Sequence, residues 1–173
     1  MTAKRRRRLA TDDEARALAS ALRIRILRVC LREEHTNKEI AEAVGRDPAS
    51  TLHHVRRLVD TGFLKALPVR RGVRGSREIP YLTTEKSWQI STPANGRTLL
   101  DTFLEEVANV PARELDTARL GLRLSPADMK KFSDRLAELL DEFAQLPDDP
   151  DAPPMSVFFA VHPDTTRTPR PSA

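Results

Sequence analysis

Ser50, Thr51, His53, His54 and Arg57 fall within one short stretch, and Arg70, Arg71, Arg74 and Arg77 follow at residues 70–77. Hydroxyl, imidazole and guanidinium groups donate hydrogen bonds to base edges and to phosphate oxygens. Arg57 has the fork geometry for a bidentate contact to guanine, although late positions of a helix more often meet phosphate. The other chemistries these residues suggest are weaker. His53 and His54 are adjacent, so on a helix they point roughly 100° apart and cannot easily chelate one ion. His35 and His162 are isolated. No Gly-rich phosphate loop and no Gly-x-Ser-x-Gly occurs, and no nucleophile is paired with a base. No enzyme activity, no metal and no cofactor is expected.

The charge distribution points the same way. The net charge of +4 conceals a strongly basic first half, residues 1–77, and an acidic remainder. Such a division suits a polyanion-binding module joined to a region with another kind of partner; a merely solvated basic surface is the alternative. Cys30 is the single cysteine. It falls within an apolar helical pattern, so a buried thiol is expected over a redox sensor, in a reducing, cytoplasmic setting. No stretch approaches the ~20 apolar residues of a membrane span. The basic N-terminus lacks the apolar run of a secretory signal, and Asp12, Asp13 and Glu14 disfavour an amphipathic presequence.

These side chains need elements to hold them. Residues 1–11, with their KRRRR run, read as a disordered arm that either contacts DNA or only solubilises. From residue 12 a helical period appears: Ala15, Leu18, Ala19 and Leu22, then Ile24, Ile26, Leu27, Cys30 and Leu31, with Arg23, Arg25 and Arg28 on an exposed basic flank. Thr36 and Glu39 have capping-box spacing before Ile40, Ala41 and Val44, and Gly45 ends that helix. Asp47 and Pro48 then suit the N-cap and first position of another helix, which Gly62 ends. Its buried stripe reads as Leu52, Val55, Leu58 and Val59. The opposite side carries Ser50, His53, Arg57 and, obliquely, His54. Two short helices about a tight turn make a helix-turn-helix. Residues 63–69 and 78–83 read as strands around the Gly-rich tip RRGVRGSR, with Ile79, Tyr81 and Thr83 on one face and Pro80 marking an edge strand. Trp88 and Ile90 either extend the sheet or pack beneath it. A basic hairpin after the second helix meets the requirement for a wing; taken alone it is also compatible with a soluble turn.

The acidic half carries a stripe at Leu99, Leu100, Phe103, Leu104 and Val107. A capped helix from Ser125–Pro126 bears Met129, Phe132, Leu136, Leu139, Leu140 and Phe143. PDDPDAPP is a stiff polar break, and residues 155–161 form a β-prone run. The fold class is therefore α+β, mainly α: a winged helix-turn-helix over 12–92, a helical accessory or dimerisation region over 93–146, a linker and late β-strand over 147–162, and a disordered tail over 163–173.

The segments LRIRIL, KEIAEAVG, LHHVRRL and VDTGFL together resemble the ArsR-type winged-helix repressors, over roughly residues 15–85. The resemblance implies a homodimer that binds double-stranded DNA at a near-palindromic operator and represses by occluding a promoter. Two departures stand out. Thr36 and Lys38 occupy positions where metal-sensing members often carry Cys-x-Cys, and Leu52 stands where a Ser is common. The apolar C-terminal helices either frame a pocket for a small-molecule effector or are plain core. The rival reading is a winged helix that docks proteins without specific DNA binding. RNA binding is disfavoured by the absence of an aromatic stacking platform.

Overall fold

The computed structural model describes residues 7–72, 75–147, 149 and 151–166. Its contacts divide the chain into two compact units, residues 5–109 and, for the larger part of the other, residues 110–173.

The first unit begins at the end of the basic arm. β1 (Arg8–Leu9) lies parallel to β7 (Ile90–Ser91), with Arg8 opposite Ile90. Residues 7–11 are thus not a mobile arm, and residues 1–6 lie outside the described residues. α1 (Asp12–Leu18) starts at a capping box formed by Thr11 and Glu14. α2 (Ala21–Val29) restarts at Ser20, whose hydroxyl accepts from the Arg23 amide. β2 (His35–Thr36) leads directly into α3 (Asn37–Ala43), and α4 (Pro48–Asp60) follows after a four-residue turn. β3 (Leu64–Ala66), β4 (Arg70–Arg71), β5 (Arg77–Glu78) and β6 (Pro80–Thr83) form the wing region, followed by α5 (Lys86–Gln89), β7 and α6 (Gly96–Val107).

The core is built where the helical stripes meet the sheet. Ala17, Ile26, Cys30, Ile40, Val55, Leu58 and Phe63 are almost completely buried and belong to one cluster. Cys30 is free within it, and burial pushes its thiol up to about 12, the inert condition expected of a structural cysteine. α6 packs against α2, the Arg28 Nε to Glu106 Oε1 ion pair measures 2.8 Å, and Asn95 donates to the Ala15 carbonyl at 2.8 Å. Residues 93–109 therefore belong to the winged-helix unit, which ends at 109 rather than 92. The amphipathic stripe of α6 signals that it packs without saying against what.

The sheet corrects two further expectations. β6 is the central strand of the order β2–β6–β3, so Pro80 does not mark an edge. It is the first residue of β6, opposite Thr36 at the end of a two-residue strand, where a missing donor costs little. Its own carbonyl accepts from the Leu67 amide at 2.9 Å. Ile79 lies between strands and is exposed, whereas Tyr81 and Thr83 are buried. Trp88 sits in α5, half exposed, and Ile90 is buried in β7.

The second unit contains a 3-10 turn (Ala112–Glu114) and α7 (Pro126–Ala144), which is N-capped by Ser125 and buries none of its residues. Residues 155–161 lie in neither helix nor strand. The late strand expected over these residues is therefore not formed among the described residues. No helix among the described residues is long and apolar enough to cross a membrane.

One buried carboxylate ties the first unit together. Glu14 accepts from both terminal guanidinium nitrogens of Arg8, at 2.7 and 2.6 Å, and lies 2.8 Å from the Lys86 ammonium. Arg8 above all, then Lys86 and the Thr11 amide, holds the Glu14 carboxyl far below the usual carboxylate range, against the opposing effect of burial. A lowered folded-state value means that the stabilisation is present above the unfolded carboxylate's titration, near pH 4.3, and is lost as pH falls below it. Glu14→Gln should therefore cost about 2 kcal/mol at neutral pH. Urea denaturation as a function of pH should show the gap to the unsubstituted protein closing below about pH 4.

Candidate nucleic-acid interface

The geometry of the site begins with the turn between α3 and α4. Thr36 and Glu39 close their box in both directions, Thr36 Oγ1 accepting from the Glu39 amide at 3.3 Å and Glu39 Oε2 from the Thr36 amide at 2.7 Å. Gly45 has φ +65°, a conformation that glycine adopts without penalty, so the chain reverses there and the Arg46 amide returns to the Ala41 carbonyl at 2.9 Å. Asp47 Oδ1 then accepts from the amides of Ala49 and Ser50 at 2.9 and 3.1 Å. Asn37 Nδ2 donates to the Pro48 carbonyl at 2.8 Å. No sequence pattern signals this cross-brace between the starts of the two helices.

α4 turns a different face outward from the one its apolar pattern suggests. Thr51, Val55 and Leu58 are buried, while Leu52 and Val59 are only partly covered. Thr51 is fully buried, its hydroxyl donating to the Asp47 carbonyl at 2.9 Å, so it cannot reach a ligand. Its Oγ satisfied on the preceding turn, Thr51 packs as a small apolar residue would. The outward face shifts accordingly. Ser50 and His53 are exposed, and Arg56, which the apolar stripe places to one side, is exposed with them.

His54 moves inward. Its Nδ1 lies 3.4 Å from Arg23 Nη1. Burial first, then the charge of Arg23 and the neighbouring His53, lowers its pKa from the ordinary imidazole value. Arg23 is no exposed basic residue either. Its guanidinium donates to the carbonyls of Ala17 and, at 2.7 Å, Arg16, completing the C-terminal end of α1. Arg25 donates to the Val44 carbonyl at 3.3 Å. With Arg28 on Glu106, the expected basic flank of α2 is taken up by contacts inside the unit.

Two other arginines expected at the site are held by carboxylates. Arg57 Nη2 is 3.2 Å from Asp13 Oδ1, which Arg16 also meets at 2.8 Å. In the wing, β4 and β5 pair with Arg70 opposite Glu78 and Arg71 opposite Arg77. Arg70 lies 2.6 Å from Glu34, 3.7 Å from Glu39 and 3.8 Å from Glu78, so it fastens the wing to the α3 end of the unit. Arg71 and Arg77 are exposed. Arg74 lies outside the described residues. Among the described residues, Ser50, His53 and Arg56 on α4 and Arg71 and Arg77 on the wing are exposed, as are Lys65 and Ser76, while Arg57 and Arg70 are engaged internally.

Residues 21–65 match the family model of winged helix-turn-helix DNA-binding domains. That segment spans α2, the capped turn and α4. No curated protein matches the chain. Among solved structures, the chain is similar to a homodimeric winged helix-turn-helix DNA-binding domain from Mycobacterium bovis, at 20% identity over 62% of this chain and 82% of that one, with a TM-score of 0.35. It is similar to ZitR of Lactococcus lactis in complex with DNA, at 18% identity over 72% and 75%, with a TM-score of 0.33. It is also similar to the PcaV transcriptional regulator of Streptomyces coelicolor, at 18% identity over 74% and 82%, with a TM-score of 0.37. Among the described residues, no group of three or more His, Cys, Asp or Glu side chains could hold a metal ion.

The half-buried histidine offers a direct check of this packing. In Arg23→Ala, His54 is relieved of a neighbouring positive charge, and its imidazole should titrate at higher pH than in the unsubstituted chain. An NMR titration of the ring protons measures this; no upward movement would mean that the pair is not formed in solution.

Proposed function

We propose that this chain is a sequence-specific reader of double-stranded DNA that regulates transcription in the cytoplasm, at the nucleoid. The observation that carries the reading is the outward face of α4. On a capped helix-turn-helix whose sequence matches the DNA-binding family model, the exposed side presents Ser50, His53 and Arg56, next in the chain to a basic wing bearing Arg71 and Arg77. Helices of this kind place their outer side chains against base edges in the major groove, and a wing reaches phosphate. The ArsR-type resemblance of the segments LRIRIL, KEIAEAVG, LHHVRRL and VDTGFL supports a finer form. In that form the protein is a homodimeric repressor that covers a near-palindromic operator and answers to a small-molecule effector.

In this reading Asp13 competes with phosphate for Arg57, and Glu34 for Arg70. Both pairs are partly exposed, so each opposes binding by well under the energy of a buried pair.

Retention of genomic fragments, including the chain's own upstream region, tests the reading across a salt series. The unsubstituted protein should select particular fragments and bind them far less tightly as salt rises. Arg56→Ala with Arg71→Ala should bind more weakly, its log–log salt slope shallower by about 0.9 for every phosphate that is no longer neutralised. Asp13→Asn should tighten binding by about twofold. Weak, equal retention of every fragment by the unsubstituted protein would replace this reading with that of a protein-docking winged helix.

A further inference from the structure

His54 is a titratable group on α4 that the outward face does not use, and its contact with Arg23 is one that a proton abolishes. The imidazole is half-buried, with Nδ1 3.4 Å from Arg23 Nη1. A guanidinium has no acceptor, so a hydrogen bond between the two needs the lone pair of Nδ1 and a neutral ring with its proton on Nε2. Arg23 cannot yield. Its Nε donates to the Ala17 carbonyl and its Nη2 to the Arg16 carbonyl, so the guanidinium is fixed to the end of α1 while it faces α4. A proton on Nδ1 replaces the hydrogen bond with two like charges in contact, and the ring is the partner that must move.

The surroundings offer that proton no compensation. Burial first, then the charges of Arg23 from α2 and His53 from its own helix, favour the neutral ring. α3 and β3 also pack on α4, and neither contributes a charge to His54 among the described residues. After burial, Arg57 is the charge that acts on Arg23. Arg57 is itself opposed by Asp13 of α1, which Arg16 shares. Among the described residues, then, no carboxylate holds a protonated His54 where the ring now lies.

The way out is short. A helical side chain leans back over the residue four positions earlier, here Ser50, which is exposed. The ring of His53, exposed as well, has its centroid 5.7 Å from that of His54. A turn about the Cα–Cβ bond carries the His54 ring from Arg23 to the edge of the face that Ser50, His53 and Arg56 present. There a phosphate stabilises the charge that the present position penalises.

We propose that this chain takes up a proton as it binds DNA: His54 leaves Arg23, and its imidazolium joins the outward face of α4 as a phosphate contact. This rests on the reading of α4 as the DNA-facing helix and adds to it a dependence on pH. His54 is neutral in the free chain and charged in the complex, so affinity rises as pH falls. One proton per bound chain gives up to about tenfold per pH unit, between the titration of His54 in the free chain and its titration in the complex.

Binding of a mixed-sequence duplex by the full-length chain tests this from about pH 5.5 to 8, at low and constant salt, where phosphate contacts suffice. The unsubstituted chain should gain affinity as pH falls. His54→Asn should remove most of that slope. Arg23→Ala, which releases the ring beforehand, should make it shallower. Ring-proton NMR of the unsubstituted chain provides a readout that needs no altered fold: His54 should titrate at higher pH with the duplex bound than without it. Affinity that ignores pH, a slope unchanged in His54→Asn or in Arg23→Ala, or a His54 titration that the duplex does not raise overturns this inference and leaves DNA recognition standing. Failure to bind the duplex at every pH overturns the DNA reading itself, and this inference with it.

Discussion

A carboxylate removed from water must be met by cations, and Glu14 meets that requirement in a way that organises the first unit. Arg8 approaches from the N-terminal strand and Lys86 from α5, so chain segments far apart in sequence are drawn to the first turn of α1. Lys86 also donates to the Thr61 carbonyl at 2.7 Å and lies over the Phe63 ring. It thereby connects the buried charge to the end of α4 and to the largest fully buried side chain of the core. The parallel pairing of β1 with β7 is only two residues long, too short to persist by its own hydrogen bonds. It stands because the ion pairs beside it bring the strands together. Removing one partner of such a group leaves an uncompensated charge, and that cost exceeds what the interaction contributes when complete.

The local grammar of the winged-helix half was legible because it is made of short-range signals. Thr36 with Glu39, and Asp47 with Pro48, mark helix starts that depend on neighbours three or four residues away, and they occur where expected. What escaped were the long-range partnerships. Arg57 lies 44 residues from Asp13 and Arg70 lies 36 from Glu34, and no periodicity announces such pairs. The orientation of α4 was missed for a subtler reason. A hydropathy pattern counts Thr51 as polar and Leu52 as core, whereas a hydroxyl bonded to its own helix turn is as comfortable inside as an alanine. That one inversion hides Thr51, exposes Arg56 and draws His54 inward.

The second half was legible as elements but not as an arrangement. α7 begins at its Ser125 cap and carries the anticipated stripe, and residues 155–161 have the composition of a strand. A stripe tells a helix to find a partner, and a β-prone run likewise. Neither says whether the partner lies in the same chain. The same ambiguity moved α6 from the accessory region into the winged-helix unit, where Arg28 and Ala15 receive it.

Thr36 belongs at once to β2, opposite Pro80, and to the N-cap of α3. No loop separates the sheet from the helix, so the joint has no slack. Any tilt of the sheet that carries the wing must be passed to α3 as a rotation, and through the Asn37 brace to the start of α4. Arg70, reaching back to Glu34 and Glu39, supplies a second fixed point on the same arm. The wing and the helix pair therefore behave as a single lever, and an insertion at residues 35–37 would be mechanically more damaging than one of equal length in the hairpin tip.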